Sequence, residues 1–131
     1  MKKVTGLGGV FFKSQDPEAS KKWYEEHLGI ESGEYGAHFK WKDHDHPDRT
    51  GYTAWNPFSD QTRYFEPGVQ EFMVNYRVAD LEGLLKELLA KGVKQVGTIE
   101  SYPYGKFAWI IDCDGRKVEL WEPVDEELGL E

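Results

Sequence analysis

One carboxylate stands where it could bind a ligand or move a proton, the glutamate of the run Lys117-Val118-Glu119-Leu120-Trp121. The run follows an Asp114-Gly115 pair, which between two alternating segments is the strongest short-range signal of a β-hairpin. Because side chains alternate along a strand, Glu119 shares one face with Lys117 and Trp121, while its apolar neighbours share the other. We therefore predict that Glu119 faces a cleft, and it is the candidate catalytic residue.

A second strand-like run, Phe72–Val78, continues this pattern, because its polar residues alternate with apolar and aromatic ones. The same alternation can be applied to the other β-rich runs, although the face of Trp109 depends on the register of its strand. The residues predicted to line a ligand-binding cleft are Phe11, Thr53, Trp55, Met73, Asn75, Arg77, Trp109 and Trp121. Flat apolar surface with a few polar groups is the usual composition of a small-molecule pocket. Rings beside a carboxylate favour a planar or cationic ligand.

A structural alternative remains open at this point. In it, Trp55 and Trp121 fill space between sheets or at a subunit interface, and Glu119 pairs with Arg77.

The histidines and the cysteine add little chemistry. His44 and His46 lie in a run rich in aspartate, which could chelate zinc or nickel but is more typical of a solvated loop. His38 lies in a strand-like run, and it is the histidine that could enter the cleft. Cys113 lies between two aspartates, which disfavour its thiolate, so a nucleophilic role is not expected.

Two helices are predicted to follow strands and to position these residues. Asp16-Pro17-Glu18 combines an N-cap, a first-turn proline and an acidic first turn, and Gly29 ends that helix. Asp80 begins a second helix, whose leucines recur at helical spacing as far as Gly92.

The two halves of the chain repeat one another over roughly 65 residues. Asp16-Pro17-Glu18-Ala19 corresponds to Asp80-Leu81-Glu82-Gly83, and Thr53–Pro57 corresponds to Glu119–Pro123. We predict an α+β fold of two tandem β-α-β-β-β modules, whose mixed sheet curls around a shared cleft. The expected organisation is one domain over residues 1–123 and an acidic tail over 124–131. Within the domain, the first module spans about 4–58, a linker 59–70 and the second module about 71–123.

Composition excludes several classes of protein. The chain has 131 residues and a formal net charge of −8, and its lysines and arginines do not cluster, which argues against nucleic acid or an anionic membrane as partner. No apolar run approaches the length of a membrane span. A single cysteine rules out an intrachain disulfide, and we expect a cytoplasmic location.

The pattern resembles the vicinal oxygen chelate superfamily, which includes glyoxalase I, bleomycin-resistance proteins and extradiol dioxygenases. In the first half, the resemblance is carried by Val10–Phe12 with the helix start at Asp16, and by Trp23-Tyr24 with Leu28-Gly29. In the second half, it is carried by Tyr76–Leu81 and by the ending Asp112–Pro123, which reads D-x-D-G-x-x-x-E-L-W-E-P. The resemblance implies the glyoxalase/bleomycin-resistance fold, but the superfamily holds many functions.

Metal-dependent members of that superfamily hold a divalent ion with residues from the first and last strand of each module. Carried over to this chain, the quartet is Gly9, Thr53, Met73 and Glu119. One carboxylate, a neutral hydroxyl, a soft thioether and a glycine are a poor ligand set for such an ion. We expect a degenerate metal site and no cofactor, and a divalent metal remains the less favoured alternative.

These observations predict a glyoxalase/bleomycin-resistance-like protein that binds a small organic ligand in its cleft, as a homodimer like its small relatives. One alternative is a lyase, isomerase or dioxygenase, either metal-dependent through other ligands such as His38 or metal-free with Glu119 as base. Another is a resistance protein that sequesters an antibiotic.

Overall fold

The computed structural model describes residues 3–124, which form two helices and one mixed sheet. In chain order, the elements are β1 (Val4–Ser14), α1 (Pro17–Leu28), β2 (Ala37–Lys42), β3 (Thr50–Ser59), β4 (Phe72–Val78), α2 (Leu81–Ala90), β5 (Gln95–Tyr102), β6 (Gly105–Ile111) and β7 (Lys117–Pro123). Apart from Val124, the predicted acidic tail lies outside the described residues.

Both helices begin where the capping residues predict. The Asp16 carboxylate accepts a hydrogen bond from the Ala19 backbone N–H at 3.1 Å, and Asp80 accepts one from Gly83 at 3.1 Å. These bonds satisfy backbone donors that the first turn of a helix leaves unpaired. Gly29 ends α1 in the left-handed conformation, with φ 71°, which a residue with a side chain rarely adopts.

The sheet has the strand order β2-β3-β1-β4-β7-β6-β5. Within each half, the strand before the helix pairs in parallel with the last strand, as β1 with β3 and β4 with β7. The halves join through the antiparallel pair β1–β4. The predicted α+β fold with a mixed, curled sheet is confirmed.

The first module departs from the prediction, because its helix is followed by two strands, β2 and β3, rather than three. The segment between α1 and β2, residues 30–36, contains one isolated bridge between Gly33 and Gly36. Gly36 has φ 88°, and only Ile30 and Tyr35 in the segment are β-branched or aromatic, so few of its residues favour a strand.

The helices pack on one face of the sheet. Against α2, the buried core consists of Val78, Leu81, Leu85, Ala108 and Leu120. Against α1, the contacts are aromatic: the Trp55 ring lies 5.0 Å from Tyr24 and 5.5 Å from Phe12. Burial of these rings and leucines leaves the opposite face of the sheet for the cleft.

The segment that joins the halves covers part of that opposite face. Phe65, within residues 59–70, is 1% exposed and packs with Met73 and Trp109. The segment therefore closes one end of the cleft as well as joining β3 to β4.

Neither helix within residues 3–124 has the length and apolar character needed to cross a membrane.

Candidate functional site

The Glu119 carboxylate lies at the centre of a buried hydrogen-bond cluster and is 4% exposed. Its Oε1 accepts a hydrogen bond from Asn75 Nδ2 at 2.6 Å. Its Oε2 accepts hydrogen bonds from Trp109 Nε1 at 2.9 Å and from the Tyr64 hydroxyl. An ionised carboxylate only accepts hydrogen bonds, and all three neighbours are uncharged donors that match it.

Tyr64 was not predicted as a site residue, because it lies in the segment between the modules. Burial, and next the negative charge of Glu119, raise the pKa of its phenol above the ordinary value, so the phenol stays a neutral donor. The sequence held one signal, the adjacent aromatics Tyr64-Phe65 within an otherwise polar linker.

Lys117 holds Tyr64 in place. Its ammonium group donates to the Tyr64 carbonyl at 2.6 Å and lies 4.8 Å from the centre of the Tyr64 ring and 5.7 Å from that of Trp109. Burial lowers the pKa of Lys117. Its contacts support two of the three donors to Glu119, while Lys117 itself is outside the lining of the cavities described next.

Two cavities meet at Glu119. The larger, about 630 Å³, is lined by Gly8, Phe11, Tyr35, His38, Ala54, Asn56, Phe58, Asn75, Tyr104, Phe107, Glu119 and Trp121. The smaller, about 320 Å³, is lined by Phe11, Phe58, Tyr64, Glu100, Tyr102, Tyr104, Phe107, Trp109 and Glu119. Most of these residues are aromatic, and among the described lining residues there is no lysine or arginine, so the cavities combine apolar walls with negative charge.

Parallel rings form one wall of the cleft. Phe107 stacks on Trp121 with the ring centres 5.7 Å apart and the planes 6° apart. At the mouth, Tyr102 and Tyr104 stack with an angle of 3° between their planes. These flat surfaces suit a planar molecule.

The structure places four of the predicted cleft residues at these cavities. Phe11 lines both of them, Asn75 and Trp121 line the larger, and Trp109 lines the smaller. The pairing of Trp109 with Glu119 across β6 and β7 settles the register that the sequence left open.

Two other predicted cleft residues lie apart from these cavities. Met73 has no exposed surface and is covered by Phe65. Arg77 lies between two indoles, 5.3 Å from the Trp41 ring and 5.2 Å from the Trp121 ring, and it lines a separate cavity of about 500 Å³. Its guanidinium therefore does not take the position beside Glu119 that the structural alternative required.

The placement of Thr53 and Trp55 corrects the sequence alignment of the two halves. Trp55 packs against α1, and the Thr53 hydroxyl donates to the Leu7 carbonyl at 2.6 Å. In the parallel pairs, Asn75 lies opposite Glu119 and Phe11 lies opposite Asn56.

Phe11 and Asn75 each lie five residues before the N-cap of the following helix, so Asn56, and not Thr53, corresponds to Glu119. The alignment of Thr53–Pro57 with Glu119–Pro123, which rests on the Trp-x-Pro that both runs share, was displaced by three residues. An odd displacement moves every side chain to the other face of the sheet. Asn56 and Phe58 are the cleft residues that this displacement concealed.

The remaining sequence candidates lie at different places. His38 lines the larger cavity, and burial lowers the pKa of its ring. His46 lies in the loop after β2, where its Nδ1 is 3.9 Å from an Asp43 carboxylate oxygen, and it lines the separate cavity with Arg77. Cys113 is exposed, and its thiol points to Asp114 at 3.8 Å.

The residues that the sequence alignment carried over to the family's metal positions do not fit a divalent ion, and Asn56, which the strand register puts in place of Thr53, offers only a neutral amide. A Cβ at Gly9 would lie 2.8 Å from the Phe11 ring, so a ligating side chain has no space there unless that ring moves. The Thr53 hydroxyl is held by the Leu7 carbonyl and by the Trp41 indole, and N–H and O–H donors surround Glu119. Across residues 3–124, histidine, cysteine and acidic side chains form no group of three or more that could hold a metal.

Comparison with solved structures finds the same fold in several enzymes. Methylmalonyl-CoA epimerase from Mycobacterium tuberculosis aligns with TM-score 0.64 and 20% identity, covering 98% of this chain and 95% of that one. A Streptomyces coelicolor methylmalonyl-CoA epimerase variant in complex with 2-nitronate-propionyl-CoA aligns with TM-score 0.67 and 17% identity, covering 92% and 99%. The Mn(II)-bound glyoxalase from Novosphingobium aromaticivorans aligns with TM-score 0.59 and 18% identity, covering 93% of this chain and 40% of that one. At these identities, the similarity shows the fold.

A comparison with curated protein sequences found no match. The sequence model of one family does match, over residues 7–120, and its span includes Phe11, Asn56, Asn75 and Glu119. The protein therefore belongs to the Glyoxalase/Bleomycin resistance protein/Dioxygenase superfamily.

Proposed function

We propose that this protein binds a small, planar organic molecule in the cleft without a metal ion, and that Glu119 is the hydrogen-bonding and electrostatic anchor of the ligand. The observation that carries the proposal is the position of the carboxylate, buried among three neutral donors where two aromatic cavities meet. The larger cavity, about 630 Å³, is within the ordinary size range of sites for small molecules.

The electrostatics favour a ligand with a positive charge or polarised N–H groups. Glu119 reaches both cavities, and Glu100 adds a second carboxylate to the wall of the smaller one. A buried carboxylate attracts a positive group more strongly than an exposed one does, because less water screens the charge, and the Lys117 ammonium, which interacts with both glutamates, offsets part of this attraction. A ligand carboxylate would instead be repelled.

The same hydrogen bonds argue for an anchor rather than a general base. A base that abstracts a proton needs a carboxylate oxygen within hydrogen-bond reach of the substrate. Three donors to Glu119 use much of its accepting capacity. Binding is therefore favoured over a metal-free isomerase reaction with Glu119 as base.

The proposal is tested by titrating chelator-treated protein with three probes that share one ring system: 2-naphthylmethylammonium, naphthalene and 2-naphthoate. We expect the ammonium probe to bind with a dissociation constant below about 1 mM, and at least about tenfold more tightly than the carboxylate. Isothermal titration calorimetry gives both values. Equal affinity for the two charged probes, or no binding of any probe, would overturn the proposal.

A matched pair of variants shows whether Glu119 carries the preference. Glu119→Gln keeps the shape and removes the charge, and we expect it to lower the affinity for the ammonium probe about tenfold or more. Glu18→Gln, which changes an exposed glutamate on α1, removes the same net charge and is expected to leave the affinity unchanged. Elemental analysis of the untagged protein should find metal well below one equivalent per chain.

A further inference from the structure

We infer that the ligand of this cleft is a bifunctional aromatic cation, with its positive group at Glu119 and a hydrogen-bonding group, such as a hydroxyl, at His38 on the far side of the larger cavity. This inference rests on the proposed function and deepens it, because it assigns a second polar contact and a ligand class to the same site. It depends on the position of His38 in the sheet and on an imidazole that has no partner within the described residues.

His38 and Glu119 lie at two ends of one row of residues that crosses the sheet. The strand pairs place His38 opposite Ala54, Ala54 opposite Gly9, Gly9 opposite Asn75, and Asn75 opposite Glu119. Residues directly opposite each other in neighbouring strands have their side chains on the same face of the sheet. Both ends of the row line the larger cavity, so the imidazole faces the same space as the carboxylate.

The row leaves room for a flat molecule between its two ends. From β2 to β7 there are four strand intervals of about 4.8 Å, which give about 19 Å along the sheet. The curl of the sheet and the length of the two side chains shorten the gap across the cavity. Ala54 lines the cavity with a single methyl group, and the Phe11 ring lies over Gly9. No large side chain of this row therefore stands between the imidazole and the Phe11 ring.

The His38 imidazole is available to a ligand. Its ring is accessible, and neither of its nitrogens has a hydrogen bond or an ion pair with another of the residues 3–124. Burial lowers the pKa of the ring, which keeps it largely neutral near pH 7. A neutral imidazole offers one N–H donor and one acceptor nitrogen. His38 therefore adds hydrogen-bonding capacity to the cavity without opposing a positive group at Glu119.

The inference predicts a preference between two probes of equal charge. Chelator-treated protein is titrated with 2-naphthylmethylammonium and with its 6-hydroxy derivative, whose hydroxyl lies at the end of the ring system away from the ammonium. We expect the hydroxylated probe to bind about fivefold more tightly, which is the usual net effect of one neutral hydrogen bond. Isothermal titration calorimetry gives the ratio. A ratio near or below one, with the parent probe bound, would overturn the inference and leave the proposed function intact, whereas no binding of either probe would overturn both.

Two variants show whether His38 carries this preference. His38→Phe keeps a flat ring and removes both nitrogens, so it should bring the affinity ratio of the two probes close to one. His38→Gln keeps a donor and an acceptor and should retain part of the preference. Because His38 is accessible and has no partner within the described residues, we expect both variants to fold, which thermal denaturation checks. A full preference in folded His38→Phe would contradict the role of His38.

The pH dependence of binding gives a readout that a structural role of His38 would not move. Protonation of the imidazole places a positive charge in the cavity, which should weaken binding of the ammonium probe. The other titratable side chains near it, either lining the cavity or following on the same face of β2 and β3, are Tyr35, Tyr104, Glu119, Lys40 and Tyr52. All of them remain in His38→Gln, so a difference between this variant and the wild type belongs to His38.

From about pH 7.5 to about pH 5.0, the affinity of the wild-type protein for the ammonium probe should fall at least about threefold more than that of His38→Gln. His44→Gln is the matched control, because it changes an exposed histidine of the loop after β2 that lines neither cavity at Glu119. It should keep the wild-type profile. Equal profiles in the wild type and His38→Gln would contradict the inference.

Discussion

The two modules place equivalent residue pairs at the same cleft, but the pairs differ in chemistry. In the second module, β4 and β7 bring Asn75 opposite Glu119, which forms a buried amide–carboxylate pair. In the first module, β1 and β3 bring Phe11 opposite Asn56, which forms an apolar wall with an unsatisfied amide oxygen. The repeat therefore duplicates positions rather than functions, and the second module carries the charge while the first shapes the space around it.

Removing the central side chain of each pair should have the largest and most unequal effect. Glu119→Leu leaves two buried donors, on Asn75 and Trp109, and the partly buried Tyr64 hydroxyl without an acceptor, so we expect it to lower the free energy of unfolding by about 3 kcal/mol. Asn56→Leu removes an oxygen that has no partner and should change the free energy of unfolding by less than about 1 kcal/mol. Urea denaturation of both variants measures the difference, and equal losses would show that the asymmetry between the modules is not energetic.

Much of the fold, and the part of the site in the second module, could be predicted from the sequence, because both depend on local patterns. The N-caps Asp16 and Asp80, the turn at Asp114-Gly115 and the alternation around Glu119 are all local signals, and the structure agrees with each of them. Asn75 was predicted at the cleft for the same reason, and it lies there. Alternation along β4 and β7 puts Asn75 and Glu119 on the same face of the sheet, and the two residues are opposite each other in the parallel pair.

The remainder of the site depends on contacts that short sequence patterns do not record. The position of Asn56 follows from the register of a parallel pair, which an alignment on Trp-x-Pro displaced by three residues. Tyr64 reaches Glu119 from a segment without regular secondary structure, 55 residues before it in the chain. Such long-range geometry becomes visible only once the sheet is assembled.

Tyr64 gives the next largest expected effect, since it is the donor to Glu119 supplied from outside both modules. Tyr64→Phe removes one hydrogen bond to the carboxylate and should lower the free energy of unfolding at neutral pH by about 1 kcal/mol. Phe is a matched replacement because the ring contacts with Trp109 and Phe58 can remain. A loss as large as that of Glu119→Leu would mean that the segment 59–70 depends on the hydroxyl far more than its single bond to Glu119 implies.

The raised pKa of Tyr64 predicts a specific dependence on alkaline pH. Because the folded pKa lies above the unfolded value of 10.0, this phenol contributes stability that is fully present below pH 10.0 and lost as the pH rises above it. The wild-type protein should therefore lose more stability than Tyr64→Phe between about pH 9 and about pH 11. Urea denaturation at the two pH values checks this, and parallel losses in the two proteins would contradict the assignment.

The smallest effect on binding is expected at Thr53 and Trp55, which the pairing of β1 with β3 places outside the cleft. Trp55 packs against Tyr24 and Phe12, so Trp55→Phe should change the free energy of unfolding by about 1 kcal/mol and leave the affinity for 2-naphthylmethylammonium within about twofold. Thr53→Val should likewise leave the affinity unchanged, because the hydroxyl is used by Leu7 and Trp41. A large loss of affinity in either variant would show that the position belongs to the binding surface after all.

The most direct test of the central claim is a crystal structure of chelator-treated protein with 2-naphthylmethylammonium bound. We expect the ammonium nitrogen within hydrogen-bond distance of the Glu119 carboxylate, with the ring against the aromatic walls of the cleft. Binding that appears only when a divalent ion is restored, with that ion on Glu119, would contradict it, as would a ligand seated away from this carboxylate.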